Sequence, residues 1–241
     1  MVITGCSQTK VGPQDIEVTL GTFNYGGSQP GIAALIVGNI PATGPDGVEV
    51  KVTGPSGWNN GNPLTSRMYE RYTEPGWYWW YWQVGSFVDG DYTFESLLPD
   101  GTNLKKTVHI TGNNILAQAV PALSATKNSA TVSWQAVPEA ISYEVDLIHK
   151  TNGGAEVVHW WRTDDTSITF NQLNLVTGDA YYAEVWAFNA HLTKLTFEPP
   201  AFFKSSYSRT SEFTVSSTGA IQLLPTAPAR VPENFSGTSM N

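Results

Sequence analysis

Four histidines, one cysteine and 21 carboxylates are the side chains here whose types could support acid–base, nucleophilic or metal chemistry. Their spacing does not assemble a site. His109, His149, His159 and His191 show none of the i, i+2 or i, i+4 separations that present two imidazoles to one metal. His149 and His159 are ten apart across an expected hairpin, and they read as surface imidazoles. The lone Cys6 excludes an intrachain disulfide and a cysteine zinc cluster. No Gly-x-Ser-x-Gly elbow, phosphate-cradling loop or dinucleotide fingerprint occurs. Asp89, Asp91, Asp164 and Asp165 fall in turn sequences, where an Asp side chain bonds its own backbone. A hard cation would need several more convergent oxygens. The sequence therefore predicts a protein that is not an enzyme, with no cofactor and no metal.

Composition narrows the partners. The chain has 13 basic residues and a net charge of −8, shared equally between its halves. Phosphate recognition needs clustered Lys and Arg, whereas Lys105-Lys106 is the longest basic run. No nucleic acid is expected. No run of ~18 apolar residues is present to span a bilayer as a helix. An apolar fraction of 41% is enough for real cores.

The elements that must position any site read as strands. Alternation dominates in Ile16–Leu20, Val48–Val52, Tyr92–Ser96 and Thr107–Thr111, and Ile32–Val37 is a continuous apolar run. Turn clusters at Pro41–Gly47, Gly54–Pro63 and Asp89–Asp91 separate them. After a connector, Ala130–Trp134, Ile141–Leu147, Thr166–Phe170, Tyr181–Asn189 and Ser205–Val215 continue the pattern. Residues 216–241 are rich in Ser, Thr, Pro and Ala and read as a tail.

The aromatic residues carry the functional signal. In Trp77-Tyr-Trp-Trp-Tyr-Trp-Gln-Val84, successive side chains alternate between faces. A single core absorbs one set, and the set ending in Val84 is the better candidate. Trp77, Trp79, Tyr81 and Gln83 are then expected outward, as a surface larger than soluble monomers usually leave open. By the same alternation Trp186 and Phe188 are expected outward, opposite Tyr181, Ala183, Val185 and Ala187, as a second partner- or ligand-binding face. One of Trp160 and Trp161 would extend that face.

Two stretches resemble known families. Trp134, Tyr143, and Leu175 six residues before Tyr181, followed by the alternating Tyr181–Asn189, resemble a fibronectin type III domain. Thr177 stands where that family often has proline. Asp89-Gly-Asp-Tyr92 before an alternating strand is loosely similar to the entry of strand F in immunoglobulin-like domains. Ile3-Thr4-Gly5-Cys6 resembles the lipobox of bacterial lipoproteins, which implies lipidation at Cys6.

The expected fold is all-β: two tandem antiparallel β-sandwiches, immunoglobulin-like then fibronectin type III-like, with a flexible C-terminal tail. The expected boundaries are a tether at 1–13, sandwiches at 14–112 and 121–216, a linker at 113–120 and a tail at 217–241. The resemblances imply a lipid-anchored protein of the bacterial cell envelope, with a membrane contact through the lipid alone. It would bind other envelope or surface proteins through aromatic faces. The alternative partner is a polysaccharide, with Trp77, Trp79 and Tyr81 as a stacking platform.

Overall fold

The computed structural model describes residues 17–26, 31–38, 48–68, 77–83, 87–97, 101–112, 114–151, 154–191 and 202–224. Cys6 lies outside them. The described residues form β1 (Glu17–Asn24), β2 (Gly31–Gly38), β3 (Val48–Thr53), β4 (Leu64–Met68), β5 (Trp77–Gln83), β6 (Gly90–Leu97), β7 (Asn103–Ile110), β8 (Ala122–Ala125), β9 (Ser129–Ser133), β10 (Ser142–Thr151), β11 (Gly154–Thr163), β12 (Ser167–Asn171), β13 (Ala180–Phe188), β14 (Phe203–Arg209), β15 (Phe213–Val215) and β16 (Ile221–Leu223). The fold is all-β. Alternation does not foreshadow β4, and among the described residues a 3-10 turn, Trp58–Gly61, sits inside the expected turn cluster. Asn59 and Asn60 adopt left-handed backbone there, at φ 47° and 56°.

One nine-stranded sheet runs β11-β10-β13-β14-β1-β2-β5, with β15 on β13 and β16 on β15. Two smaller sheets among the described residues are β4-β3-β6-β7 and β12-β9-β8. Neighbours pair antiparallel with one exception among the described strands: β1 runs parallel to β14, with Gly21 opposite Phe203 and Asn24 opposite Ser206. The large sheet thus passes from the N-terminal to the C-terminal half across the boundary expected at 113–120.

Register fixes which cores the large sheet serves. Thr22 lies opposite Ile32 and Lys204, Ser206 opposite Ala187, and Ala187 opposite Tyr143. Paired residues share a face, so Leu20 and Ile32 lie on the same side as Tyr143, Val145, Val185 and Ala187. Leu20 and Ile32 pack with Val50, Val52, Trp58, Tyr92, Phe94 and Ile110. Further along the same face, Val145, Leu147, Ala183 and Val185 pack with Val132, Trp134, Phe170 and Phe213. Each small sheet therefore covers one end of the large one.

The connector between the small sheets is pinned between these cores. Thr22 Oγ1 and Asn24 Nδ2 donate to the carbonyls of Asn114 and Leu116 at 2.6 and 2.9 Å. Ser206 Oγ donates to the Ala117 carbonyl at 2.7 Å, and Gln118 Nε2 to the Tyr207 carbonyl. Leu116 and Ala119 are buried in the second core. Main-chain carbonyls withdrawn from water need partners, and side chains of β1 and β14 supply them at Asn114, Leu116 and Ala117.

The signature residues of the second half occupy the expected places. Trp134 packs on Tyr143 at a ring separation of 5.0 Å. The Tyr143 hydroxyl accepts from Val137 N at 3.0 Å, and the Tyr181 hydroxyl accepts from Val176 N at 3.0 Å. The latter is the tyrosine corner of such sandwiches. Thr177, standing where proline is common, bridges to Val215. Tyr92 makes a similar tie in the first half, its hydroxyl bonding both N and O of Val88 at 2.9 Å.

Two details differ from expectation at the C-terminal end. The last strand divides into β14 and β15, because Thr210 takes over part of the ladder. Its N donates to the Ala183 carbonyl at 2.9 Å, and its Oγ1 accepts from Ala183 N at 3.0 Å. In the segment expected to be a tail, Ile221–Leu223 forms β16 on β15.

Candidate functional site

Several of the residues singled out for polar chemistry are engaged in structural contacts. His149 Nε2 lies 2.8 Å from Asp179 Oδ2, and the ring stacks on Tyr181. His159 sits against Phe170 instead, with ring centroids 5.9 Å apart. Asp91 pairs with His109 at 2.7 Å, and Asp89 accepts from Gly112 N at 2.9 Å. Among the described residues, no three His, Cys, Asp or Glu side chains converge to hold a metal ion.

Trp186 and Phe188 occupy the face opposite the second core, as the alternation predicts, but they are not exposed. They are 5% and 1% accessible. β14 and β1 extend the sheet beside β13, and their aromatics fill that face. Trp186 stacks on Phe23 at 5.6 Å and packs on Tyr207 at 4.7 Å, while Phe188 stacks on Phe203 at 6.3 Å. Polar groups are interred beside them. Arg162 Nε donates to Glu144 Oε2 at 2.7 Å, with both side chains buried. Tyr207 Oη donates to Glu184 Oε1 at 2.7 Å. Burial, then the Glu184 charge, pushes the Tyr182 phenol up to about 12 and raises that of Tyr207 as well. This face is an interior, not a docking surface.

The aromatic ribbon lies elsewhere. β5 is the strand at one end of the large sheet and pairs only with β2 among the described strands. Trp79 lies opposite Ile36 and Gln83 opposite Ile32 in register. The side chains of Trp77, Trp79, Tyr81 and Gln83 lie outside the described residues.

β11 is the strand at the other end. It carries Trp160, 39% accessible, and Trp161, 61% accessible. Six of the nine tryptophans therefore stand on the two terminal strands of one sheet. The other three, Trp58, Trp134 and Trp186, are buried singly. Sequence reasoning noticed Trp160 and Trp161 but could not know that their strand ends the sheet. That depends on which strands pair across the molecule.

The β11 end opens into a groove. β11 and β12 are consecutive, yet they belong to different sheets and diverge from the turn at Asp164 and Asp165. Between them lies a cleft of about 440 Å³ lined by His159, Trp160, Trp161, Ile168, Thr169, Phe170 and Asn171. A bulge in β11 at Val158, where Leu147 pairs with His159 and Ile148 with Val157, interrupts the ladder beside it.

No protein-family model and no curated protein matches this sequence. Solved structures of similar arrangement include a two-domain fibronectin type III segment of chicken tenascin. It is 17% identical, with 82% of this chain and 98% of that one covered, at a TM-score of 0.27. The chicken CNTN1 FN1–FN3 domains are 14% identical, with 79% and 66% covered, at a TM-score of 0.27. A segment of titin is 12% identical, with 83% and 66% covered, at a TM-score of 0.30. At scores this low the class of the fold rests on strand order, register and the tyrosine corner: an all-β protein with a fibronectin type III-like C-terminal sandwich.

Proposed function

We propose that this protein is a non-catalytic interaction module of the bacterial cell envelope, held to a membrane by lipid on Cys6 and binding other envelope proteins at the ends of its large sheet. One observation carries the reading: the tryptophans are concentrated on the two strands that end that sheet. Terminal strands present unpaired main-chain groups, and proteins ordinarily blunt them with charge, proline or a bulge. β5 contains neither charge nor proline. In β11 the bulge is present, but Arg162 is withdrawn into its bond with Glu144, and Trp161 stands in the open. Large aromatic side chains dominate binding energy where they are buried by a partner.

The test is photo-cross-linking in native membranes, with a photoreactive side chain at position 79 or 161 and a control at Leu97, which is exposed on β6. A discrete protein adduct from either test position and none from the control supports the reading. Adducts absent from both test positions, alongside retention on a polysaccharide matrix, favour a glycan ligand instead. Mass spectrometry of the N-terminal peptide decides the anchor. A diacylglyceryl-modified Cys6 supports it and an unmodified thiol overturns it.

A further inference from the structure

We infer that the groove between β11 and β12 receives an extended polypeptide segment of the partner, which adds as a strand to the open side of β12. The inference rests on the interaction-module reading and names how its β11 end is occupied.

Three observations fix the occupant. The first is the phase of the β12 ladder. Trp134 N donates to the Thr166 carbonyl at 3.0 Å, and the register runs Ser167 to Ser133 through Asn171 to Ser129. Antiparallel ladders alternate bonded and non-bonded pairs. The main-chain groups of Ile168 and Phe170 therefore face β9, and those of Ser167, Thr169 and Asn171 face away from it. Among the described strands, β9 alone pairs with β12. The groove thus presents N–H and C=O groups in a row, which an extended chain satisfies and a sugar or compact surface does not.

The second is the side-chain lining. The Thr169 hydroxyl is turned to the outer surface, where it bonds Thr131 Oγ1 at 2.9 Å. Ile168 and Phe170 pack with the second core, and Trp161 and His159 stand across from them on β11. An added strand would place every second side chain among these rings, so the segment carries apolar residues at alternate positions.

The third is charge. The turn that closes the groove carries Asp164 and Asp165, both exposed, with His191 Nδ1 3.9 Å from Asp164. The nearest arginine, Arg162, is buried against Glu144. At the far end of β12 the exposed Lys127 approaches, its carbonyl accepting from Leu175 N. A segment with Lys or Arg at the end beside Asp164 and Asp165 matches this gradient.

The probe is a random dodecapeptide library displayed on phage and selected on the intact protein. The expected winners alternate apolar residues and carry Lys or Arg at one end. Synthetic winners should protect the amides of Ser167, Thr169 and Asn171 from hydrogen exchange. Affinity should fall about tenfold or more in Trp161→Ala and in Thr169→Pro, which deletes an outward N–H and nothing in the β9 ladder. Thr131→Ala, which removes the other hydroxyl of the Thr131–Thr169 bond from outside the groove, should bind as the wild type does, controlling for loss of that bond. N-methylation of alternate peptide residues should abolish binding. Should Thr169→Pro fold poorly, exchange protection and N-methylation decide alone. Winners that bind N-methylated as well as unmodified, winners that leave these amides unprotected, or no winners at all overturn strand addition. If that happens while position 161 still cross-links to a protein, the interaction module stands and only its mode of binding falls. If cross-linking fails as well, both fall.

Discussion

Single residues decide whether an aromatic side chain is structural or available. Tyr181 is structural: its hydroxyl satisfies the amide of Val176 at the mouth of the second core. Removing it deletes that hydrogen bond, which is typically worth ~0.5–1.5 kcal/mol. Tyr181→Phe should lower the urea midpoint accordingly without changing the denaturant slope. Trp161→Ala should behave differently. Exposed substitutions away from special features usually shift stability by ~0.5 kcal/mol or less, so this variant should melt with the wild type while losing its partner. Tyr182 supplies the pH dependence. Its phenol is raised from its ordinary value of 10 to about 12, mainly by burial. The folded state holds that proton more tightly than the unfolded chain. The associated stability is therefore complete below pH 10 and lost as pH climbs towards 12. Chemical denaturation at pH 9, 10.5 and 12 should record the decline, and Tyr182→Phe should make it shallower. Tyr207 is displaced in the same direction and keeps part of the slope in that variant.

Elements decide how the two halves are joined. The parallel contact of β1 with β14 is possible because residue 21 is glycine: a Cβ there would collide with the Phe203 carbonyl. That atom is backbone and cannot swing aside. Forcing extra bulk into packed structure costs ~1–3 kcal/mol and occasionally more. Gly21→Val should therefore separate β1 from β14, with a selective gain in hydrogen exchange at β14 and the 114–118 connector. Arg162 with Glu144 is a second element-level tie, linking β11 to β10. Truncating one partner of a buried pair strands the other charge and typically costs ~3–5 kcal/mol. Arg162→Ala should accordingly loosen the β11 end of the sheet, read as faster exchange along Gly154–Thr163.

At the scale of the whole molecule, the continuous sheet makes the halves one structural unit. A flexible linker would let two sandwiches melt separately. Here the connector is bonded to both β1 and β14, and a third hydrophobic cluster of Phe23, Trp186, Phe188, Phe203 and Tyr207 spans the junction. Differential scanning calorimetry should give one transition whose calorimetric and van't Hoff enthalpies agree. Gly21→Val should split it into two. A single sheet also holds its two tryptophan-bearing ends at a fixed separation, so partners bound at β5 and β11 would be held in fixed relation.

What the sequence determined by itself was local. Period-two alternation specified most strands, because side chains in a strand must alternate whatever they face. Trp134, Tyr143, Leu175 and Tyr181 pointed to the second core and its corner through their resemblance to a fibronectin type III domain. Alternation also placed Trp186 and Phe188 opposite that core. It could not say that the opposite face is buried, because Phe23, Phe203 and Tyr207 reach it from strands distant in sequence. Tertiary structure alone decided that β1 crosses to β14, that the connector is bonded down, and that β11 and β5 end the sheet. Each is a pairing between distant segments. Main-chain hydrogen bonds carry no side-chain label, so which strand meets which is settled only when the whole chain is packed.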